Sequence, residues 1–464
     1  MKNANRMYFI ALLALVGCHA ATKPEQPTHF SFEPGNCAPE LAAAHVRCGH
    51  VRVPENHDVP SGRQIDLNII IFDALSATGG DAAQFDLEGG PGFAVTDFAS
   101  FYMTEGVRYR QNRDVVLADM RGTGGSNALR CPAMEQRMKA DPLSPLYPPD
   151  LVRACAMTLS ASADLRQYTT SNAVRDLDAV RSALGYRQID LNAISYGTTL
   201  ALRYMAEYPQ RVRTAILLGT VPTARKPPRH HASVGEHGLE QLLAACHDDP
   251  ACAARYPSPR EDLDRALARM APELRHPFLE KLRTMLYMPA TARRIPAALR
   301  QAATGDIGAF TRAGGGRVFA DGTYLSITCA ESFAQMDIDR AIREADATVF
   351  GAYRVKRQRD ACAHWPVAPV PESFLAPVKS DVPTLFLSGA MDPVSPSDWA
   401  HEVAAQFPNG RQIVVPQGAH VLEGLSGVDT CIDELMLGFV ARGSVADVDA
   451  NCVASMDRGG FELR

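Results

Sequence analysis

The alternation of apolar and polar positions divides the chain into segments of two kinds. Short apolar, β-branched runs bounded by turn residues occur at "IDLNIIIFDAL" (65–75), "QFDLEGG" (84–90), "DVVLADM" (114–120), "QIDLNAI" (188–194) and "TAILLG" (214–219), and predict strands buried mostly on both faces. Between them, "SNAVRDLDAVRSALG" (171–185) sets Val174, Leu177, Val180 and Leu184 at helical spacing before Gly185 stops the pattern, and 196–208 has the same period. Strands alternating with helices predict crossover units and a mostly parallel sheet. After about residue 223 the character changes. "ARKPPRHH" leads into a helix-rich stretch, and the next buried strands are "VPTLFLSGAMD" (382–392) and "RQIVVPQGAH" (411–420). The expected organisation is one α/β core in two pieces, 36–223 and 376–464, with a mainly helical lid inserted over 224–375 and a Pro-rich return linker at 364–377.

The N-terminus carries a separate signal. Lys2 and Arg6 precede an apolar run, 7–17, that is too short to span a bilayer comfortably and ends in small residues, the pattern of an export signal. Leu15-Val16-Gly17-Cys18 resembles the bacterial lipoprotein box, in which the cysteine becomes a lipidated N-terminus and anchors the chain to a bilayer. Residues 1–18 then form the signal and 19–35 a polar tether. His19, where inner-membrane retention uses Asp, resembles the outer-membrane class.

Composition narrows the rest. A chain with 46% hydrophobic and 21% charged residues is that of a folded globular protein. A net charge of −5 without any Lys/Arg block gives no reason to expect a nucleic-acid partner. With Cys18 set aside, an even number of cysteines remains, which in an exported chain suggests disulfides. Connectivity does not follow from sequence, but sequential pairing over short loops is favoured: Cys37 with Cys48, Cys131 with Cys155, Cys246 with Cys252, Cys329 with Cys362, and Cys431 with Cys452. The CxxC and HExxH spacings of zinc sites are absent, and no metal or cofactor is expected.

The candidate chemistry lies at strand ends. Ser195, in Ala193-Ile194-Ser195-Tyr196-Gly197, follows a strand and precedes a helix, matching the GxSxG nucleophile elbow except for Ala193. A serine hydroxyl needs a histidine base oriented by a carboxylate. Asp392 follows "TLFLSG" and His420 follows "IVVPQG", so both are expected at the same sheet edge as Ser195, in the order Ser, Asp, His. Histidines 230, 231, 237, 247, 276 and 364 fall in the lid or its linker, and His401 in a helical segment, which weakens their claims. An acyl-transfer site also needs backbone N–H groups for the oxyanion; Tyr196 and the loop "EGGPG" (88–92) are placed to supply them. Neither that loop nor "RGTGGS" (121–126) has the lysine of a phosphate-binding loop.

Taken in order, "EGGPG", "DMRGTGGS", "AISYGTTLALRY", "SGAMDPVSP" and "GAH" resemble the proline iminopeptidase and tripeptidyl aminopeptidase branch of the α/β-hydrolase serine peptidases. The resemblance extends to the opening "CAPELAAAHVRCGHVRVPENH" and the closing "CVASMDRGGFEL". It implies an α/β-hydrolase fold, a triad of Ser195, Asp392 and His420, an oxyanion hole of Gly90 and Tyr196, and peptide substrates with a free N-terminus. An acidic lid residue holds the substrate's amino end in such peptidases. Glu331, in the apolar segment "YLSITCAESF" (324–333), resembles its counterpart, with Glu88 in reserve. Glu88 stands where the iminopeptidases usually carry histidine, which weakens the case for strict proline specificity. Two other functions share the scaffold: a carboxylesterase, and a non-catalytic surface lipoprotein used for binding.

Overall fold

The computed structural model describes residues 30–41, 45–76, 82–311 and 317–463. Cys18 and the signal segment lie outside these residues. The strands are β1 (Phe32–Gly35), β2 (Val46–Pro54), β3 (Gln64–Phe72), β4 (Ala82–Leu87), β5 (Val115–Ala118), β6 (Gln188–Ile194), β7 (Val212–Leu218), β8 (Thr384–Gly389) and β9 (Gly410–Val415). They form one sheet in the order β1-β2-β3-β5-β4-β6-β7-β8-β9. From β5 to β9 every pairing is parallel, whereas β1, β2 and β3 join antiparallel at one edge.

The parallel strands are the apolar runs of the sequence. Phe85, Leu191, Ala215, Leu217 and Phe386 are buried between the sheet and helices Thr170–Ala183, Tyr196–Glu207 and Ser397–Ala404, whose Val174, Leu200, Ala201 and Val403 meet them. This is the mostly parallel, helix-flanked sheet of the α/β-hydrolase fold. One expectation is corrected at the edge: the tether does not extend to residue 35, because Phe32–Gly35 pairs with Cys48–Val51 as β1. Phe32 packs against the core there, giving those residues a reason to be ordered in a strand.

Between β7 and β8 the regular elements are all helical among the described residues, from His231–Asp248 to Tyr353–Cys362 and the short turn Glu372–Leu375. This insertion has its own core, in which Leu239, Leu243, Phe278, Leu282, Ile295, Leu299 and Phe310 pack together. Five disulfides join the pairs favoured by sequence order: Cys37–Cys48, Cys131–Cys155, Cys246–Cys252, Cys329–Cys362 and Cys431–Cys452. Among the described residues no helix is long and apolar enough to cross a membrane.

Candidate active site

Four parallel strands end at the same edge of the sheet, and each delivers part of the site. After β6 the chain turns sharply into helix Tyr196–Glu207, with Ser195 at φ 57° and ψ −126°. A positive φ is costly for a side chain with a Cβ and persists only where the surroundings enforce it. They do so here: Ser195 N–H donates to Leu218 O at 2.9 Å, and Ser195 O accepts from Thr198 N–H at 2.9 Å. The turn also needs Gly197, since a Cβ there would lie 2.2 Å from Leu87 O. Ala193, in place of the first glycine of the pattern, is simply buried in the core.

The loops after β8 and β9 bring Asp392 and His420 to Ser195. His420 Nε2 is 2.9 Å from Ser195 Oγ, and His420 Nδ1 is 2.9 Å from Asp392 Oδ2. Asp392 and His420 are both almost wholly buried. Asp392 Oδ1 accepts from Val394 N–H at 2.7 Å and from Ser395 N–H at 2.9 Å, which fixes the carboxylate. Tyr287, from the inserted helices, sets its ring edge-on to His420 at 5.4 Å. Gly219, after β7, leaves room for the imidazole: a Cβ there would stand 3.0 Å from His420 Cε1.

Beside Ser195 is a pocket lined in part by Gly90, Pro91, Tyr196, His231, Tyr324 and Glu331. Tyr196 opens its helix, so its N–H belongs to the first-turn amides that lack a partner within the helix. Gly90 has φ +117°, and Gly89 lies so near the turn after β6 that a Cβ on it would be 2.8 Å from Ser195 Cβ. Glycines let this loop approach Ser195 closely.

Glu331 ends helix Asp321–Glu331, which the Cys329–Cys362 disulfide ties to helix Tyr353–Cys362. Its Oε1 accepts from Thr170 N–H and its Oε2 from Thr170 Oγ1, both at 2.7 Å. Burial pushes its carboxyl up to about 7, while the Thr170 bonds pull the other way. Glu88, the reserve anchor, does not line the pocket. It accepts from Gly89 N–H at 2.6 Å and pairs with Arg317 at 3.1 Å, so a cation already meets its charge. Among the described residues no group of His, Cys, Asp and Glu side chains is placed to hold a metal ion.

Two contributors escaped the sequence reading. Ser395 Oγ donates to Asp392 Oδ2 at 2.9 Å and lies 3.2 Å from His420 Nδ1. Its position three residues after the acid, in "MDPVSP", was the available signal. Thr170 had none, being one of two threonines in "YTTSN" and 161 residues from Glu331.

Fold and site together define a hydrolase of the α/β-hydrolase fold. A family model described as "alpha/beta hydrolase fold" matches residues 89–243, and one described as "TAP-like protein" matches 347–452. The chain is 25% identical over 460 residues to serine protease Hip1 of Mycobacterium tuberculosis, covering 87% of each chain. It is 27% identical over 212 residues to a tripeptidyl aminopeptidase of Streptomyces lividans, covering 41% of this chain and 38% of that one. It is 26% identical over 458 residues to carboxylesterase B of M. tuberculosis, covering 88% of this chain and 86% of the relative.

Proposed function

We propose that the protein is a serine exopeptidase that cleaves peptides from a free N-terminus through an acyl-enzyme on Ser195. His420 Nε2 takes the Ser195 proton as Oγ attacks the scissile carbonyl, and Asp392 holds Nδ1 so that the imidazolium is oriented and stabilised. The N–H groups of Gly90 and Tyr196 serve the oxyanion. The bond to the leaving amine breaks as His420 returns the proton to it; water activated by the same imidazole then hydrolyses the ester.

The observation that carries the peptidase reading is the carboxyl of Glu331 in the Ser195 pocket. A buried acid is costly without a task, and an ammonium at the substrate's N-terminus gives it one. The peptidase names of two relatives agree with this, while the carboxylesterase relative keeps ester hydrolysis as a second reading. Chromogenic amides with a free α-amine, their N-acetyl counterparts and short acyl esters decide between them. Amide turnover that depends on the free amine supports the peptidase, and ester turnover without it supports the esterase. Ser195→Ala should lower either activity by about 10⁴–10⁶-fold. The proposal includes anchoring of the exported protein in the outer membrane through Cys18. Cys18→Ala should therefore abolish lipid labelling and release the protein from the membrane fraction.

A further inference from the structure

Behind the pocket wall, Thr170 is fully buried and touches Glu331 and Tyr196 together. Its Oγ1 lies 2.7 Å from Glu331 Oε2 and 2.7 Å from the Tyr196 phenol oxygen, and its own N–H reaches Glu331 Oε1. A threonine hydroxyl has one hydrogen to give. With Glu331 ionised, that hydrogen goes to Oε2, so the Tyr196 hydroxyl must donate to Thr170. The pocket side of Glu331 and Tyr196 then offers only acceptors. With Glu331 protonated on Oε2, the chain reverses: Glu331 donates to Thr170, Thr170 donates to Tyr196, and the Tyr196 hydrogen is free to be donated elsewhere.

We infer that Thr170 is a specificity-determining positioning residue: its hydroxyl holds Glu331 and Tyr196 as a matched pair of acceptors for an α-ammonium, and protonation of Glu331 converts that wall to one suited to an N-acylated end. This rests on the reading of the pocket as an amine site. The ammonium, with three donors, meets an acceptor-only wall; an acyl carbonyl, with none, meets it badly and prefers the reversed chain. Below neutrality, binding of a free-amine substrate expels the Glu331 proton to solvent, which links amine recognition to pH.

Other groups around Glu331 leave this pair the decisive one. From helix Tyr196–Glu207, Arg203 favours the charged carboxylate from a distance but is itself paired with Glu207 and stacked on Phe374. From helix His231–Asp248, burial, with Arg283 and Arg354 nearby, drives the His231 imidazole well below its ordinary value and keeps it neutral. Arg225, on the same pocket wall, is committed to Glu402 and Trp399.

The test compares two chromogenic amides that differ only in N-acetylation, with wild type, Thr170→Ser and Thr170→Val, from pH 5.5 to 8.5. Taking the ratio of kcat/KM for the two substrates cancels any pH effect on the triad, which both need. In wild type the free-amine preference should climb up to about tenfold per pH unit below about 7 and fall again above about 8, where the substrate amine loses its proton. Thr170→Ser keeps the hydroxyl and should keep this profile. Thr170→Val removes a hydrogen bond to a charged group and should move the rising limb up by about one to two pH units, costing at least about fivefold in preference at pH 7. Turnover of the N-acetyl amide should not fall with it, because the protonated wall suits an acylated end. The Glu331 carboxyl resonance, followed by ¹³C NMR in the same proteins, gives the same midpoint without reference to activity. An unmoved midpoint in Thr170→Val, or equal losses on both substrates, overturns the role of Thr170. A wild type with no free-amine preference at any pH, whatever the NMR midpoint, overturns the amine-site reading and this inference with it.

Discussion

Replacing Glu331 by Gln should make the protein more stable at alkaline pH while it loses free-amine turnover. The carboxyl has a folded value of about 7 against an ordinary 4.5, because burial penalises its charge. Between these values the unfolded chain gives up its proton while the folded one keeps it, so each rise in pH favours unfolding. The contribution is fully present below about 4.5 and is lost as pH passes through about 7. A difference of about 2.5 in pKa corresponds to about 3 kcal/mol of lost stability at pH 8. Glutamine pays none of this and can still satisfy Thr170, accepting from its N–H through Oε1 and donating to Oγ1 through Nε2. Equilibrium urea unfolding of both proteins at pH 4.5, 6, 7 and 8 isolates the term, since the pH-independent effects of the substitution cancel in the slope. The variant should gain on wild type by about 1.4 kcal/mol per pH unit across the middle of this range and level off above it. Parallel stability curves would falsify the account of Glu331 as a buried, strained acid. If the gain appears while free-amine and ester substrates lose activity equally, the acid is strained but does not recognise the amine.

Further outcomes follow from single contacts. Ser395→Ala removes a bond to Asp392 but leaves Asp392–His420 in place, so kcat should fall by about two- to tenfold with KM unchanged in steady-state assays. Gly89→Ala places a Cβ 2.8 Å from Ser195 Cβ and should cut kcat by about a hundredfold or more, with a circular dichroism spectrum and Tm close to wild type. Replacing Cys329 and Cys362 by Ser releases the helix that carries Glu331; stability should drop by about 2–4 kcal/mol in urea, and free-amine turnover should fall more than ester turnover. Arg121→Met leaves Asp176, whose two oxygens Arg121 holds at 2.6 and 2.7 Å, buried with His57 at 2.8 Å in place of a fixed cation, and should destabilise the fold by about 3–5 kcal/mol without selective loss of either substrate.

What could be read from the sequence depended on whether a residue's role is set locally or by distant approach. β6, β7 and β8 are buried mostly on both faces, so their apolar runs stand out, and β9, though partly exposed, keeps the run "IVV"; parallel pairing from β6 to β9 obliges the following loops to share an edge, so Ser195, Asp392 and His420 could be grouped before the fold was known. β2 was hidden for the opposite reason. It is antiparallel, with Arg47, His50 and Arg52 interleaved among its apolar positions and Cys, Gly and Pro within it, so neither strict alternation nor a continuous run marks it. β1 was hidden with it, since four residues at a sheet edge carry no period of their own. The same division holds within the site. Glu331 was conspicuous because an acid in an apolar segment carries a local cost. Thr170, which satisfies that acid, is chemically at home almost anywhere, and only the packing of helices Thr170–Ala183, Tyr196–Glu207 and Asp321–Glu331 gives its hydroxyl two partners. Polar groups that meet a buried charge need only the right donor at the right place, so many residue types can fill that position, and sequence marks the charge better than what neutralises it.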